Sequence, residues 1–104
     1  MTNKNDSVQP SDTLKKVRVE NMTGARSGRA VPNQFIIYTP EGTYFQSYSS
    51  VIAHCDKDGA ITLDENKWDY SKTTGKYRND FLSEGIADTR AKIKAGTYKL
   101  ANLN

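Results

Sequence analysis

The residues best suited to chemistry lie between His54 and Glu65, in the run HCDKDGAITLDE. Laid on the calcium loop of an EF-hand, it offers Asp at the third and fifth positions, Gly at the sixth, Ile at the eighth and Glu at the twelfth. The first position, where a hard cation wants a carboxylate, is His54, and the flanks read as strands where the motif needs helices. A DG turn between two strands accounts for the same residues, so the expectation is a hairpin and no metal. His54 is the only histidine and Cys55 the only cysteine. Adjacent on a strand, they project to opposite faces, which leaves a cysteine nucleophile without its base. A lone cysteine makes neither an internal disulfide nor a metal knuckle, and Cys55 reads as a small buried hydrophobe. The carboxylate pairs Asp56/Asp58 and Asp64/Glu65 fall on a turn and a strand end, where solvation accounts for them. TTGK at Thr73–Lys76 is similar to the end of a phosphate loop, but Tyr70 stands where the earlier glycine is required. These residues predict no catalytic centre, no metal and no cofactor.

What remains is binding chemistry. From Leu14 to Val31 the charges Lys15, Lys16, Arg18, Arg26 and Arg29 oppose Glu20 alone, a net +4, and from Lys76 onward the chain carries +3. Between them, Glu41 to Tyr70 carries −4, concentrated on turns. If the two basic blocks meet in space they form a patch attractive to nucleic acid or to an acidic protein surface. The loop around Gly24–Arg29 reads first as a solvated connection, although exposed N–H groups and guanidinium forks can also wrap a phosphate. Tyr44 and Tyr48, with Tyr38, supply rings on which bases can stack, at about 1–3 kcal/mol each; the competing expectation is that most of them pack under helices. The predicted nucleic-acid surface is therefore Lys15, Lys16, Arg18, Arg26, Arg29, Arg78, Lys92, Lys94, Tyr44 and Tyr48.

The elements that must position these residues follow from pattern. Leu14, Val17 and Val19 alternate with Lys16, Arg18 and Glu20 as a first strand, and Asn21–Pro32 breaks it at Gly24, Gly28 and Pro32. Gln34–Thr39, Thr43–Ser47, Val51–Cys55 and Ala60–Leu63 are strand-length runs cut by Pro40-Glu41-Gly42 and Asp56–Gly59, an antiparallel meander in sequence order. Phe35 and Ile37 share one face of their strand, Ile36 and Tyr38 the other; Phe45 points away from Tyr44 and Gln46. Trp68 and Tyr70 mark a corner. Thr73 or Thr74 caps a helix with Tyr77, Phe81 and Leu82 on its buried face, and Gly85 ends it. Asp88 caps a second helix with Lys92 and Lys94 in its last turn, and Thr97–Leu100 adds a final strand. The expected fold is α+β, an antiparallel meander of four to five strands with two short C-terminal-half helices packed on one face.

A chain of 104 residues is one domain. Its mean hydropathy of −0.76 is low, partly because residues 1–12 contain almost nothing to bury, which predicts a disordered tail before a domain over 13–104. No apolar run approaches the ~20 residues of a membrane span, and no signal peptide opens the chain. A reducing cytosol fits the single cysteine.

VPNQFIIYTPEGTYFQSYSSVIA, WDYSKTTGKYRNDFL and KIKAGTYKLANLN together, over residues 31–104, resemble a family of small accessory proteins of tailed bacteriophages and mobile elements, through the joined pattern FQSY…WDYS-TT-KYR-FL. The resemblance implies a non-catalytic protein working in the cytoplasm of an infected host bacterium and brings no site residue with it. Its partner is expected to be nucleic acid. The alternatives are a host bacterial protein, as for an inhibitor of a defence or transcription factor, or a place as a minor virion component. An open sheet edge permits a homodimer.

Overall fold

The computed structural model describes residues 17–104, as six strands and two helices of one α+β unit. The tail expected over residues 1–12 lies outside the described residues. Strands β1 (Arg18–Thr23), β2 (Ala30–Thr39), β3 (Gly42–Ser47), β4 (Ser50–Asp56) and β5 (Ile61–Asp64) precede helices α1 (Lys72–Leu82) and α2 (Ile86–Lys94), and β6 (Lys99–Ala101) follows. Spatial order equals sequence order, with every pair antiparallel except β5–β6. That last pairing is parallel because the helical pair carries the chain back to the start of β5's direction, as a parallel connection requires. The sheet thus has six strands where four to five were expected from pattern.

Local chemistry makes the turns. Thr39 Oγ1 accepts from Glu41 N at 3.1 Å and donates to Gly42 O at 2.9 Å. Gly42 has φ +129°, and a Cβ there would lie 2.2 Å from Cys55 O, so β3 begins too close to β4 for any side chain. At the next hairpin Asp56 Oδ1 accepts from Asp58 N and Ala60 N, both at 2.9 Å. His54–Glu65 is therefore strand, Asx turn and strand, and the Asp56 carboxylate is committed to its own backbone.

Register assigns the faces. Glu20, Ile36, Phe45, Ala53, Leu63 and Leu100 form one cross-strand row. The helices pack on this side. Phe45, Ile52, Ala53, Leu63 and Tyr98 are buried at its centre, against Tyr77, Phe81, Leu82 and Ile93 from the helices and Trp68 from the corner. Full burial of each large apolar side chain stabilises by about 1.5–3 kcal/mol. The Phe45 and Phe81 rings lie 5.9 Å apart, and Ser47 Oγ meets Thr74 Oγ1 at 2.9 Å, fixing the start of α1 on β3.

The helix ends differ from expectation by a few residues. Ser71, not Thr73 or Thr74, caps α1, accepting from Thr74 N at 3.1 Å; Thr74 is buried against Ser47 instead. Ser83 in the left-handed conformation (φ 57°) ends α1, and Gly85 serves as N-cap of α2, with Asp88 inside the first turn. Lys92 and Lys94 do occupy the last turn of α2. Tyr70 at the corner is exposed, whereas Trp68 packs inward. No helix among the described residues is long and apolar enough to cross a membrane.

Candidate binding surface

The opposite face of the sheet carries the row Val19, Ile37, Tyr44, His54, Thr62 and Lys99, one residue from each strand. Beside it runs a second row, Asn21, Phe35, Gln46 and Val51. None of these side chains belongs to the hydrophobic core, and the rings and aliphatic groups among them are half-buried or exposed, Val19 at 57%. Tyr44 stacks on His54 at 4.2 Å with 12° between ring planes, while His54 Nε2 lies 3.2 Å from Glu41 O. Two flat rings held by cross-strand register and a backbone contact make a rigid platform, flanked by Ile37 and Phe35. Within the first row charge enters only at Lys99, on the far edge. Strand parity places Phe35 and Ile37 together from sequence alone. That no described helix covers their face follows from where the helices pack.

Among the described residues the expected basic surface does not assemble. Lys15 and Lys16 lie outside the described residues. Arg18 is exposed on β1, paired with Glu20 at 3.2 Å and laid over the Tyr38 ring at 4.4 Å. Arg26 and Arg29 sit on the β1–β2 connection, three of whose N–H groups are already engaged: Gly24 N donates to Arg29 O, Gly28 N to Gly24 O (each 2.9 Å) and Arg29 N to Ser27 Oγ (3.1 Å). The loop is a closed turn, and those donors do not point at a ligand. Lys92 and Lys94 precede β6 at the other edge of the sheet. Five strand steps of ~4.8 Å put those edges about 24 Å apart.

Arg78 corrects the expectation most sharply. Only 1% exposed, it donates through Nη1 to Trp68 O (2.8 Å) and Asp69 Oδ1 (3.1 Å) and through Nη2 to Asn79 Oδ1 (3.0 Å), with the Trp68 ring 5.3 Å away. It is an internal brace and cannot meet a phosphate. Lys92 is bound at 2.6 Å by Glu84, which also accepts from Thr89 Oγ1 (2.6 Å) and Tyr98 Oη (2.9 Å). Burial alone would raise the Glu84 carboxyl, but the donors Lys92, Thr89 and Tyr98 hold it below its ordinary value. The Lys92 ammonium is raised in turn by that hydrogen bond. The tyrosines also separate: Tyr38 faces the helix side with Arg18 and Thr43, opposite Tyr44, and Tyr48 occupies the β3–β4 turn at φ 56° with half its surface exposed.

Asp64, expected to be solvated, is 1% exposed and binds the chain end instead. It accepts from Leu103 N (2.8 Å), Asn104 Nδ2 (3.0 Å) and Asn66 N (3.1 Å). Burial opposes ionisation, yet these donors outweigh it and keep the carboxyl below its ordinary value. Asn104 also bonds Val51 N and O at 2.8 and 2.9 Å. Two shallow hollows flank α1. One of ≈ 560 Å³ has Asp69, Lys72, Lys76, Asp80 and Arg90 on its walls; the other, ≈ 370 Å³, lies between Arg26, Lys76, Tyr77 and Asp80. Both mix charges of either sign, and among the described residues no three His, Cys, Asp or Glu side chains converge in metal-binding geometry.

Comparison with the curated proteins and with the solved structures finds no match. Residues 17–97, which run from the start of β1 to just before β6, match one family. The chain belongs to the Family of unknown function (DUF8033).

Proposed function

We propose that this protein is a non-catalytic binding module that seats a protein partner on the uncovered face of its sheet. One observation carries the reading: the rows from Val19 to His54 and from Phe35 to Val51 place apolar and aromatic side chains side by side, outside the core and free of charge at their centre. Protein interfaces have this composition, with aromatic groups enriched and charges depleted in the middle, where Gln46 is the one polar side chain between Phe35 and Val51, and a polar rim of the kind that Asn21, Thr62 and Lys99 supply. A nucleic-acid groove needs the opposite, cations tracking a backbone beside the rings. In keeping with the phage-type resemblance, the partner is a host bacterial protein met in the cytoplasm of the infected cell.

The test is a footprint. The full chain is used to capture partners from nuclease-treated bacterial lysate, and hydrogen exchange is measured on the complex. Protection of Phe35–Ile37 and Tyr44–Gln46, with capture lost in Phe35→Ser and Tyr44→Ser variants that keep wild-type circular dichroism, supports the reading. A complex protecting α1 or the β1–β2 connection instead overturns it. So does tight nucleic-acid binding that falls steeply with salt and depends on Arg26 and Arg29 rather than on Phe35.

A further inference from the structure

Strand β1 borders the sheet, and among the described residues no strand pairs with its outer edge. An open edge is a template for another strand, and proteins usually blunt it with like charges or a kink. Here the edge carries Arg18 and Glu20 two residues apart on one face, with Val17 (40% exposed) and Val19 (57% exposed) on the other. The register of β1 on β2 shifts between Asn21 and Thr23, so the regular edge is confined to Arg18–Asn21.

We infer that two copies of this chain pair antiparallel through β1, about a two-fold axis at Val19. Same-face pairing restricts the registers to a few, and charge chooses among them. With Val19 opposite Val19 of the second copy, Arg18 of each chain faces Glu20 of the other, and Val17 faces Asn21. A register shifted two residues one way sets Arg18 against Arg18, and shifted the other way sets Glu20 against Glu20. Among the described residues, only the register centred on Val19 joins unlike charges, and it does so twice. The same register aligns the Val19–Ile37–Tyr44–His54 row of each copy end to end, so the most apolar stretch of that face spans the axis. The interface uses the strand edge, so it stands whether or not the sheet face binds a partner.

Sedimentation equilibrium of the full chain across the micromolar range tests it. The wild-type protein dimerises; Arg18→Glu and Glu20→Arg each weaken the dimer at least tenfold, and the double variant R18E/E20R restores it, because the exchange recreates both unlike pairs. Circular dichroism confirms that each variant is folded. Independently, Val19→Cys in a Cys55→Ser background is joined to a second copy by a short bifunctional thiol reagent, since residues paired at the axis have Cβ atoms about 4.5–5.5 Å apart. Thr62→Cys, on the same face but away from the edge, is not. A protein monomeric throughout the range, single reversals without effect, a double variant no stronger than either single one, or no crosslink at Val19 overturns the inference.

Discussion

Replacing Asp64 by Asn changes one atom of a buried carboxylate and tests how the C-terminal residues are held. In the native chain the two oxygens accept three hydrogen bonds at 2.8–3.1 Å, from Leu103 N, Asn104 Nδ2 and Asn66 N. The residue is 1% exposed, so water does not compensate a lost acceptor. Asparagine keeps one oxygen, which can still serve Leu103 N and Asn104 Nδ2, but turns an NH₂ toward Asn66 N. Hydrogen bonds to a charged group contribute about 1.5–3 kcal/mol, and a buried donor left unpaired costs about 1–3 kcal/mol. One bond lost outright and two stripped of charge give a destabilisation of about 3 kcal/mol. For a domain of this size that corresponds to a fall in Tm of about 12–24 °C. The pH dependence supplies a second readout. Because the folded carboxyl is held below its unfolded value of about 3.9, its stabilisation is complete above that value and disappears as pH falls through the folded one. Urea titrations from pH 7 to pH 2 should show the wild type losing stability over this window and D64N losing less. A variant within 0.5 kcal/mol of wild type at pH 7, or with an unchanged acid slope, refutes the assignment of Asp64 as the anchor of residues 103–104.

The other expectations are briefer. Glu84→Gln removes a second buried carboxylate, held low by its donors Lys92, Thr89 and Tyr98, and should cost about 2 kcal/mol at pH 7 in urea, with the loss vanishing in acid. Arg78→Ala should destabilise by about 2–3 kcal/mol, since Trp68 O and Asn79 Oδ1 lose their donor, and that loss should change little with added salt because the brace is buried. Gly42→Ala should cost about 3 kcal/mol or more, through a Cβ placed against Cys55 O and a φ of +129°; a calorimetric Tm within 2 °C of wild type, against ~4–8 °C per kcal/mol, would show that the β3 entry yields. Ser71→Ala should remove about 1 kcal/mol by leaving Thr74 N uncapped, read from thermal unfolding, with Thr73→Ala as the silent control.

Much of the fold is determined by local pattern. The DG and PEG turns, the period-two alternation and the i, i+4 pair Tyr77/Phe81 each act over a few residues, so a linear reading places β2 to β5 and both helices and sorts Phe35 and Ile37 from Ile36 and Tyr38. Composition and spacing likewise show that His54 and Cys55 diverge. The errors share a cause. Arg78 lies in a helix among charged neighbours and reads as solvated, yet it is buried with its Nη1 donating to Trp68 and Asp69 from the preceding corner. Asp64 reads as a strand-end acid, and the groups that bury it, Leu103 and Asn104, arrive 39 and 40 residues later. The two basic blocks have no local signal for how far apart they end, because that distance is the width of the sheet between β1 and β6. Whether a face is wet or covered is also a tertiary matter: the side that the helices cover becomes core, and the side they leave open keeps its rings at the surface.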